Sequence, residues 1–190
     1  MKQFDVYPEC YVDTNFVGHI LGGKVKHKST CNEVAKAVNN AEGFAIGIID
    51  DDKRRATMDA GFAMVNAATI NRHITMYIHE DGKRFMFTIK PAMDKFIMDA
   101  AESQKVDLKQ FGFSSTLAGF KKETKRIQAA EDPNLRNLFD YVADDPEVQR
   151  FRNTLKYLVK KQYSVDVEKA KMFFNGELDK NDLIDILQDY

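Results

Sequence analysis

Residues 43–56 read GFAIGIIDDDKRRA, an apolar run that ends in three aspartates and three basic residues. The run FAIGII is continuous rather than alternating, which is typical of a strand buried on both faces of a parallel sheet. Consecutive carboxylates at the end of a buried strand need an explanation, because like charges that lie close together repel one another. The stretch therefore predicts the fold class and a candidate functional site at the end of the buried strand.

The segments on either side of this strand alternate between strand and helix patterns. Upstream, residues 3–9 predict a strand, 12–23 a helix, 24–28 a short strand and 29–43 a second helix. Downstream, residues 56–71 place apolar side chains at helical spacing. We therefore predict the order βαβαβα and an α/β fold with a mostly parallel sheet flanked by helices.

A hairpin is predicted next, because Asp81-Gly82 separates two apolar and aromatic segments and is a strong signal for a two-residue turn. Pro91 then fits the first position of a helix. Beyond about residue 105 only helical stripes recur, and Asp145-Pro146 has the pattern of a capped helix start.

We thus expect an α/β domain over residues 1–105 and a C-terminal helical subdomain over 106–190 that packs on it.

Composition limits the function classes. The 190 residues carry a net charge of −1, so the whole chain has no general attraction to nucleic acid or membranes. Its 2 cysteines are too few for a disulfide framework, and the sequence shows no basic-then-apolar leader and no long apolar span. We expect a cytoplasmic protein without a membrane partner.

Acidic residues end two of the predicted strands, Glu9 the first and Asp50 the buried one. Ligands of α/β sheets gather outside the carboxyl ends of parallel strands, and Asp50 and Asp52 point the same way in an extended segment. Such carboxylates stay ionised near neutral pH when a cation joins them, and Mg²⁺ prefers oxygen ligands. Lys53 and Arg54 follow at once and are candidate ligands for a phosphodiester.

The alternative interpretation is that these aspartates cap the next helix and that DDDKRR is a solvated helix start. Asp13 stands four residues after Glu9 and favours the chemical interpretation.

Glu9, Asp13 and the Asp50-x-Asp52 pair resemble the acidic motif of the toprim domain, which occurs in DnaG-type primases, topoisomerases and the overcoming-lysogenization-defect nucleases. The resemblance implies an enzyme of phosphodiester chemistry that depends on Mg²⁺ or Mn²⁺. Glu9 would act as a general acid or base or as a metal ligand, and Asp50 and Asp52 would bind the metal. Glu9, Asp13, Asp50 and Asp52 are thus the predicted catalytic residues.

Two later segments extend the resemblance, which covers about residues 4–100. KPAMDKFI is similar to the Pro-x-x-acidic segment of toprim-like proteins and implies that Asp94 joins the metal site. KKETK at 121–125 is similar to a lysine-bearing segment that follows, so Lys121 and Lys125, which share a helix face, are candidate phosphate ligands. The chain departs from the family at Cys10, where toprim domains usually have glycine, and at Pro8.

The implied function is a nuclease that acts on DNA or RNA. In the overcoming-lysogenization-defect group a toprim domain works with an ATPase, so a separate ATPase partner and a role in defence against phage are further expectations. A binding module that uses the fold without turnover stays an alternative.

A second resemblance also stays open. CYVDTNFVGHIL is similar to the opening of a PIN domain, a ribonuclease family, and would make Asp13, Glu33 and Asp50 the acidic set. Only 17 positions separate Glu33 from Asp50, which argues against the long helical stretch that a PIN domain needs.

The histidines and the loop HKSTCN at 27–32 give weaker signals. His27 and Cys31 form no closed zinc pattern and are interpreted as packing or capping residues, with phosphate binding by the loop as the alternative. His19, His73 and His79 show no partner pattern and are interpreted in the same way.

Overall fold

The computed structural model describes residues 2–51, 56–65, 70–178 and 180–187. Within these ranges five strands form one sheet in the order β1-β2-β5-β4-β3: β1 (Val6–Pro8), β2 (Ala45–Asp50), β3 (Phe62–Met64), β4 (Ile74–His79) and β5 (Arg84–Ile89). β1, β2 and β5 pair in parallel, and β4 runs antiparallel to both β5 and β3. The α/β class and a mixed, mostly parallel sheet are thus confirmed.

Helices cover both faces of this sheet. They are α1 (Tyr11–Leu21), α2 (Cys31–Asn39), α3 (Met93–Ser103), α4 (Leu117–Thr124), α5 (Pro133–Val142), α6 (Pro146–Lys161), α7 (Val167–Asn175) and α8 (Lys180–Leu187). Among the described helices, none combines the length and the apolar character needed to cross a membrane.

The continuous apolar run of β2 is explained by burial on two faces. Ile46 and Ile48 join the large cluster formed with α1, α3 and α6, whereas Ala45 and Ile49 pack against α2 on the other face. Gly47 sits where a Cβ atom would lie 2.3 Å from the sulfur of Met86, so α2 and the sheet pack closely here. The buried central strand is therefore confirmed.

The helix predicted over 56–71 is wrong for the residues of this range that the structure describes, 56–65 and 70–71; residues 66–69 lie outside the described residues. Phe62–Met64 is a strand, and it pairs with β4 so that Phe62 faces His79 and Met64 faces Tyr77. The outer edge of β4 offers backbone hydrogen bonds to this segment, and such tertiary pairing outweighs a short helical pattern. The last helix of the predicted order βαβαβα is consequently replaced by a strand.

Two smaller expectations are also corrected. Residues 24–28 run beside residues 2–8 and hydrogen-bond to them, but they form an isolated bridge, between Gln3 and Lys24, rather than a regular strand. Pro91 is not the first helical residue, because α3 begins at Met93 with Ala92 as its N-cap.

The hairpin and the helical half follow the sequence pattern. β4 and β5 pair antiparallel, and Gly82 has a positive φ of 67° in the connecting turn. Asp145 caps α6 by accepting the N–H groups of Glu147 and Val148, and Pro146 is the first residue of that helix.

The helical half shares its core with the sheet. Phe16 contacts Phe139 with ring centroids 4.9 Å apart, and Phe87 contacts Phe151 at 5.4 Å. These contacts join residues before position 105 to residues after it, and all of them belong to one apolar cluster. The division into an α/β domain and a helical subdomain stays a prediction.

Candidate active site

Four carboxylates from four elements meet at one edge of the sheet. Glu9 follows β1 directly, Asp50 is the last residue of β2, and Asp13 and Asp94 lie in the first turns of α1 and α3. β1 and β2 are parallel neighbours, so their carboxyl ends lie side by side, and both helices start there. The structure therefore brings together acids that are 85 positions apart at the extremes, from 9 to 94.

The Asp50 carboxylate is held at the start of α3. Its Oδ1 accepts the N–H of Met93 at 2.9 Å, and its Oδ2 lies 3.8 Å from the Cys10 thiol, which donates to it. The N–H of Asp50 in turn donates to Glu9 Oε2 at 3.2 Å. The N-terminal end of a helix stabilises a negative charge, so the start of α3 offsets part of the repulsion among these acids.

Asp13 is buried completely, and its two oxygens differ. Oδ2 accepts the N–H of Cys10 at 3.2 Å, whereas Oδ1 has no hydrogen-bond partner. Burial raises the pKa of Asp13 well above its ordinary value, and the charge of Asp50 raises it further. A buried carboxylate oxygen without a partner is costly, so a proton or a cation at this point would stabilise the cluster.

Asp94 connects the cluster to α4. Its side chain is almost fully buried and accepts a hydrogen bond from the Thr124 hydroxyl. Lys121 and Lys125, the predicted phosphate ligands, flank Thr124 on the same segment; Lys121 is half-buried and Lys125 is exposed. Neither lysine has an ion-pair partner among the described residues.

Thr124 was missed by the sequence analysis, although it lies inside the KKETK segment that drew attention to the two lysines.

Cys10 was recognised only as a departure from the toprim pattern. It is the N-cap of α1. Burial raises the pKa of its thiol, and the charges of Asp13 and Asp50 raise it further. A thiol that stays protonated is a poor nucleophile. Cys10 therefore serves as a hydrogen-bond donor to Asp50 rather than as a reactive group.

Three predicted residues, Asp52, Lys53 and Arg54, lie outside the described residues. The second half of the Asp50-x-Asp52 pair and the adjacent phosphate ligands thus stay predictions. Asp51 is described, and its side chain is exposed.

The donor set suits a hard divalent cation. Glu9, Asp13, Asp50 and Asp94 offer only carboxylate oxygens, which Mg²⁺ and Mn²⁺ prefer. Asp13 Oδ1 is buried without a hydrogen-bond partner, so a nearby cation would stabilise it. Within the part of the chain that the structure describes, no three His, Cys, Asp or Glu side chains already form a coordination group.

Glu33 does not join this cluster. Its carboxylate accepts the N–H of Ser29 at 2.9 Å, while Thr30 Oγ1 accepts the N–H of Glu33. Thr30 thus caps the start of α2, and the Glu33 carboxylate holds the residue before the cap. The acidic set of the PIN interpretation is therefore not assembled, and the Glu33 carboxylate takes the place that a phosphate would need at the HKSTCN loop.

His27 packs as expected. Its ring stacks on Tyr11 with centroids 4.6 Å apart, and its Nδ1 lies 3.0 Å from the Thr14 hydroxyl.

Asp13→Asn is expected to stabilise the metal-free protein at pH 8 by about 1–3 kcal/mol. The folded-state pKa of Asp13 lies above its ordinary value of 3.8, so its contribution to stability is present below pH 3.8 and is lost as the pH rises through the folded-state pKa. Asparagine keeps an acceptor for the Cys10 N–H and removes the buried charge. Urea unfolding in EDTA measures the effect, with exposed Asp144→Asn as the control. Equal or lower stability of Asp13→Asn at pH 8 would contradict the electrostatic account of the cluster.

Comparison with known proteins gives no match: no family model, no curated protein sequence and no solved structure matches the chain. The fold and the site therefore define a class only, an α/β protein with an acidic cluster at the carboxyl ends of two parallel strands.

Proposed function

We propose that the protein is a toprim-like nuclease that hydrolyses phosphodiester bonds of nucleic acid with Mg²⁺ or Mn²⁺. The observation that carries the proposal is the meeting of Glu9, Asp13, Asp50 and Asp94 at one sheet edge, with the buried Asp13 Oδ1 lacking a partner. Like charges are brought this close at a cost, and a bound cation offsets that cost.

Each acid has a separate role in the proposal. Asp50 and Asp94, with Asp52, hold the metal, and Glu9 accepts the proton of the attacking water. The metal, when bound, supplies positive charge against the reacting phosphate. Asp13 is fully buried, so it positions the Cys10 backbone and the turn that carries Glu9 rather than touching the substrate.

The phosphate is neutralised by basic residues in this proposal. Lys53 and Arg54 follow the acidic run directly, and Lys121 and Lys125 flank the Thr124 hydroxyl that holds Asp94. Positive groups that face a reacting phosphate stabilise the charge that develops there.

A separate ATPase as the partner protein and a role in defence against phage or mobile DNA are part of the proposal and rest on the toprim resemblance alone. The proposed cytoplasmic location rests on the cysteine count and the lack of a leader pattern.

A binding module without turnover is the second candidate, and two observations favour it. The thiol of Cys10 occupies the turn where toprim domains usually have glycine, and it lies against Asp50. Asp50 and Asp94 also already accept hydrogen bonds from the protein. In a module of this kind the same edge would bind nucleic acid without cleaving it.

Cleavage assays on purified protein test the proposal. Single- and double-stranded DNA and RNA substrates are incubated with Mg²⁺, Mn²⁺ or EDTA. We expect cleavage of at least one substrate with a divalent cation and none in EDTA. Cleavage that persists in EDTA, or metal-independent binding with no cleavage of any substrate, would contradict the nuclease proposal.

A further inference from the structure

A row of lysines borders the sheet beside the acidic cluster. Residues 24–28 run along the outer side of β1, where the N–H groups of Lys24, Lys26 and Lys28 donate to the carbonyls of Lys2, Val6 and Pro8 at 2.8–2.9 Å. We call Lys24, Lys26 and Lys28 the lysine edge. It gives this side of the sheet a basic border in a chain whose net charge is only −1.

Two side chains of the lysine edge, those of Lys26 and Lys28, lie on one side of the sheet, and Lys24 is exposed. Lys26 and Lys28 both place their amino groups 5.6 Å from the centre of the Tyr7 ring. His27, between them, turns the other way and stacks on Tyr11. Alternate residues of an extended segment are about 6.6 Å apart, so the backbone positions of the three lysines form an evenly spaced row.

This row keeps an excess of positive charge. Lys26 pairs with Asp5 at 2.5 Å. Lys24 and Lys28 have no carboxylate partner among the described residues, and the nearby Glu33 bonds to the N–H of Ser29 rather than to a lysine. Tyr7 orders two of the amino groups without neutralising them.

The lysine edge ends at the acidic cluster. The N–H of Lys28 bonds to the carbonyl of Pro8, the residue before Glu9. The Thr14 hydroxyl bonds to His27 on one side and donates to the carbonyl of Cys10 on the other, at 3.0 and 2.8 Å. Four carboxylates repel a polyanion, so a phosphodiester substrate needs a basic approach of this kind.

We propose that the lysine edge binds the sugar–phosphate backbone of a single-stranded nucleic acid and leads it to the acidic cluster. A single row of lysines on one extended segment follows one sugar–phosphate backbone, as the basic grooves of single-strand-binding proteins do. Binding along the edge stands by itself; delivery to the cluster rests on the proposed nuclease function.

Fluorescence anisotropy with labelled single-stranded DNA and RNA 12-mers in EDTA tests the binding step without cleavage. The test variant replaces Lys24, Lys26 and Lys28 with glutamine. The control replaces the exposed Lys83, Lys105 and Lys109 in the same way, with the same change in net charge. Circular dichroism checks that both variants fold.

We expect the test variant to bind at least about tenfold more weakly than the control, and the slope of log affinity against log salt to fall by about 2, since each single-strand phosphate contact contributes about 0.7. Equal affinity of the two variants, tighter binding of duplex than of single strands, or equal competition by polyglutamate would overturn the proposal. The proposal would also be overturned if the test variant aggregated while its affinity for single strands stayed unchanged. That result would show that the lysines prevent aggregation at the sheet edge.

The same variants separate the two proposals. If the wild type never cleaves but the test variant loses binding, the lysine edge stands and the nuclease proposal fails. If the wild type cleaves and the test variant cleaves with an unchanged KM, the nuclease proposal stands and the lysine edge is overturned.

Discussion

Asp50→Asn is expected to slow divalent-dependent cleavage by about 10²- to 10³-fold, the loss that follows removal of one major electrostatic contribution at an active site. The Asp50 carboxylate lies at the centre of the cluster, where Met93 N–H, the Cys10 thiol and Glu9 meet. Asparagine has nearly the same shape and keeps an oxygen for the Met93 N–H. The variant therefore removes charge and leaves the local fold in place. Steady-state cleavage rates at saturating Mn²⁺ give the comparison.

Asp51→Asn is the matched control for this experiment. It makes the same chemical change one residue later, at an exposed side chain. We expect it to cleave at the wild-type rate. An Asp50→Asn variant with the wild-type rate, or an equal loss in both variants, would show that Asp50 does not hold the metal.

Glu147→Ala is expected to lower the free energy of unfolding by about 3–5 kcal/mol, because it leaves a buried charge network without its partner. Glu147 is 4% exposed in the first turn of α6. Its Oε1 accepts the N–H groups of His73 and Ile74 at 2.8 and 3.0 Å, and its Oε2 lies 2.9 Å from His73 Nδ1. The other ring nitrogen of His73 pairs with Asp99 of α3 at 2.9 Å.

Glu147 thus joins the start of β4 to α6, and His73 extends the link to α3. Guanidinium unfolding measures the loss. Glu147→Gln keeps an acceptor oxygen and should cost about 1–2 kcal/mol, and the exposed Glu102→Ala should cost less than about 0.5 kcal/mol. A Glu147→Ala variant as stable as Glu102→Ala would contradict the network.

The network also gives the stability a pH dependence. Hydrogen bonds to Glu147 and Asp99 raise the pKa of His73 above its ordinary 6.5, although burial opposes this. Burial alone would raise the pKa of Glu147, but the hydrogen bonds from His73 lower it below its ordinary 4.5. The contribution of His73 is complete below pH 6.5 and is lost as the pH rises through its folded-state pKa; that of Glu147 is complete above pH 4.5 and is lost as the pH falls.

The network is therefore strongest between the two ordinary pKa values. The loss of unfolding free energy at alkaline pH should therefore disappear in His73→Gln. Both proteins are measured in an Asp13→Asn background, so that the titration of Asp13 adds no pH dependence of its own.

The central strand and the four acids of the cluster could be predicted from the sequence. A continuous apolar run requires cover on two faces, and the acids Glu9 and Asp50 end neighbouring parallel strands, whose carboxyl ends must meet. Asp13 was predicted from its position four residues after Glu9, and Asp94 from the resemblance of its segment to toprim-like proteins. The structure places all four at one edge.

The remaining features depend on contacts between distant segments. The 56–71 segment was expected to be helical because no local pattern reveals that β4 has an open edge for Phe62–Met64. His73 showed no partner pattern because Glu147 lies 74 positions later. Likewise, the hydrogen bond from Thr124 to Asp94 exists only because α4 packs beside α3. Such pairs are set by tertiary packing and leave no trace in local spacing.

Anomalous X-ray scattering from crystals grown with Mn²⁺ tests the central claim most directly, because it locates the ion independently of any activity. The account predicts a manganese peak bound to the Asp50 carboxylate and to at least one of Glu9 and Asp94, at about 2.0–2.3 Å from their oxygens. A peak elsewhere, or no peak at Asp50 in crystals saturated with Mn²⁺, would contradict it.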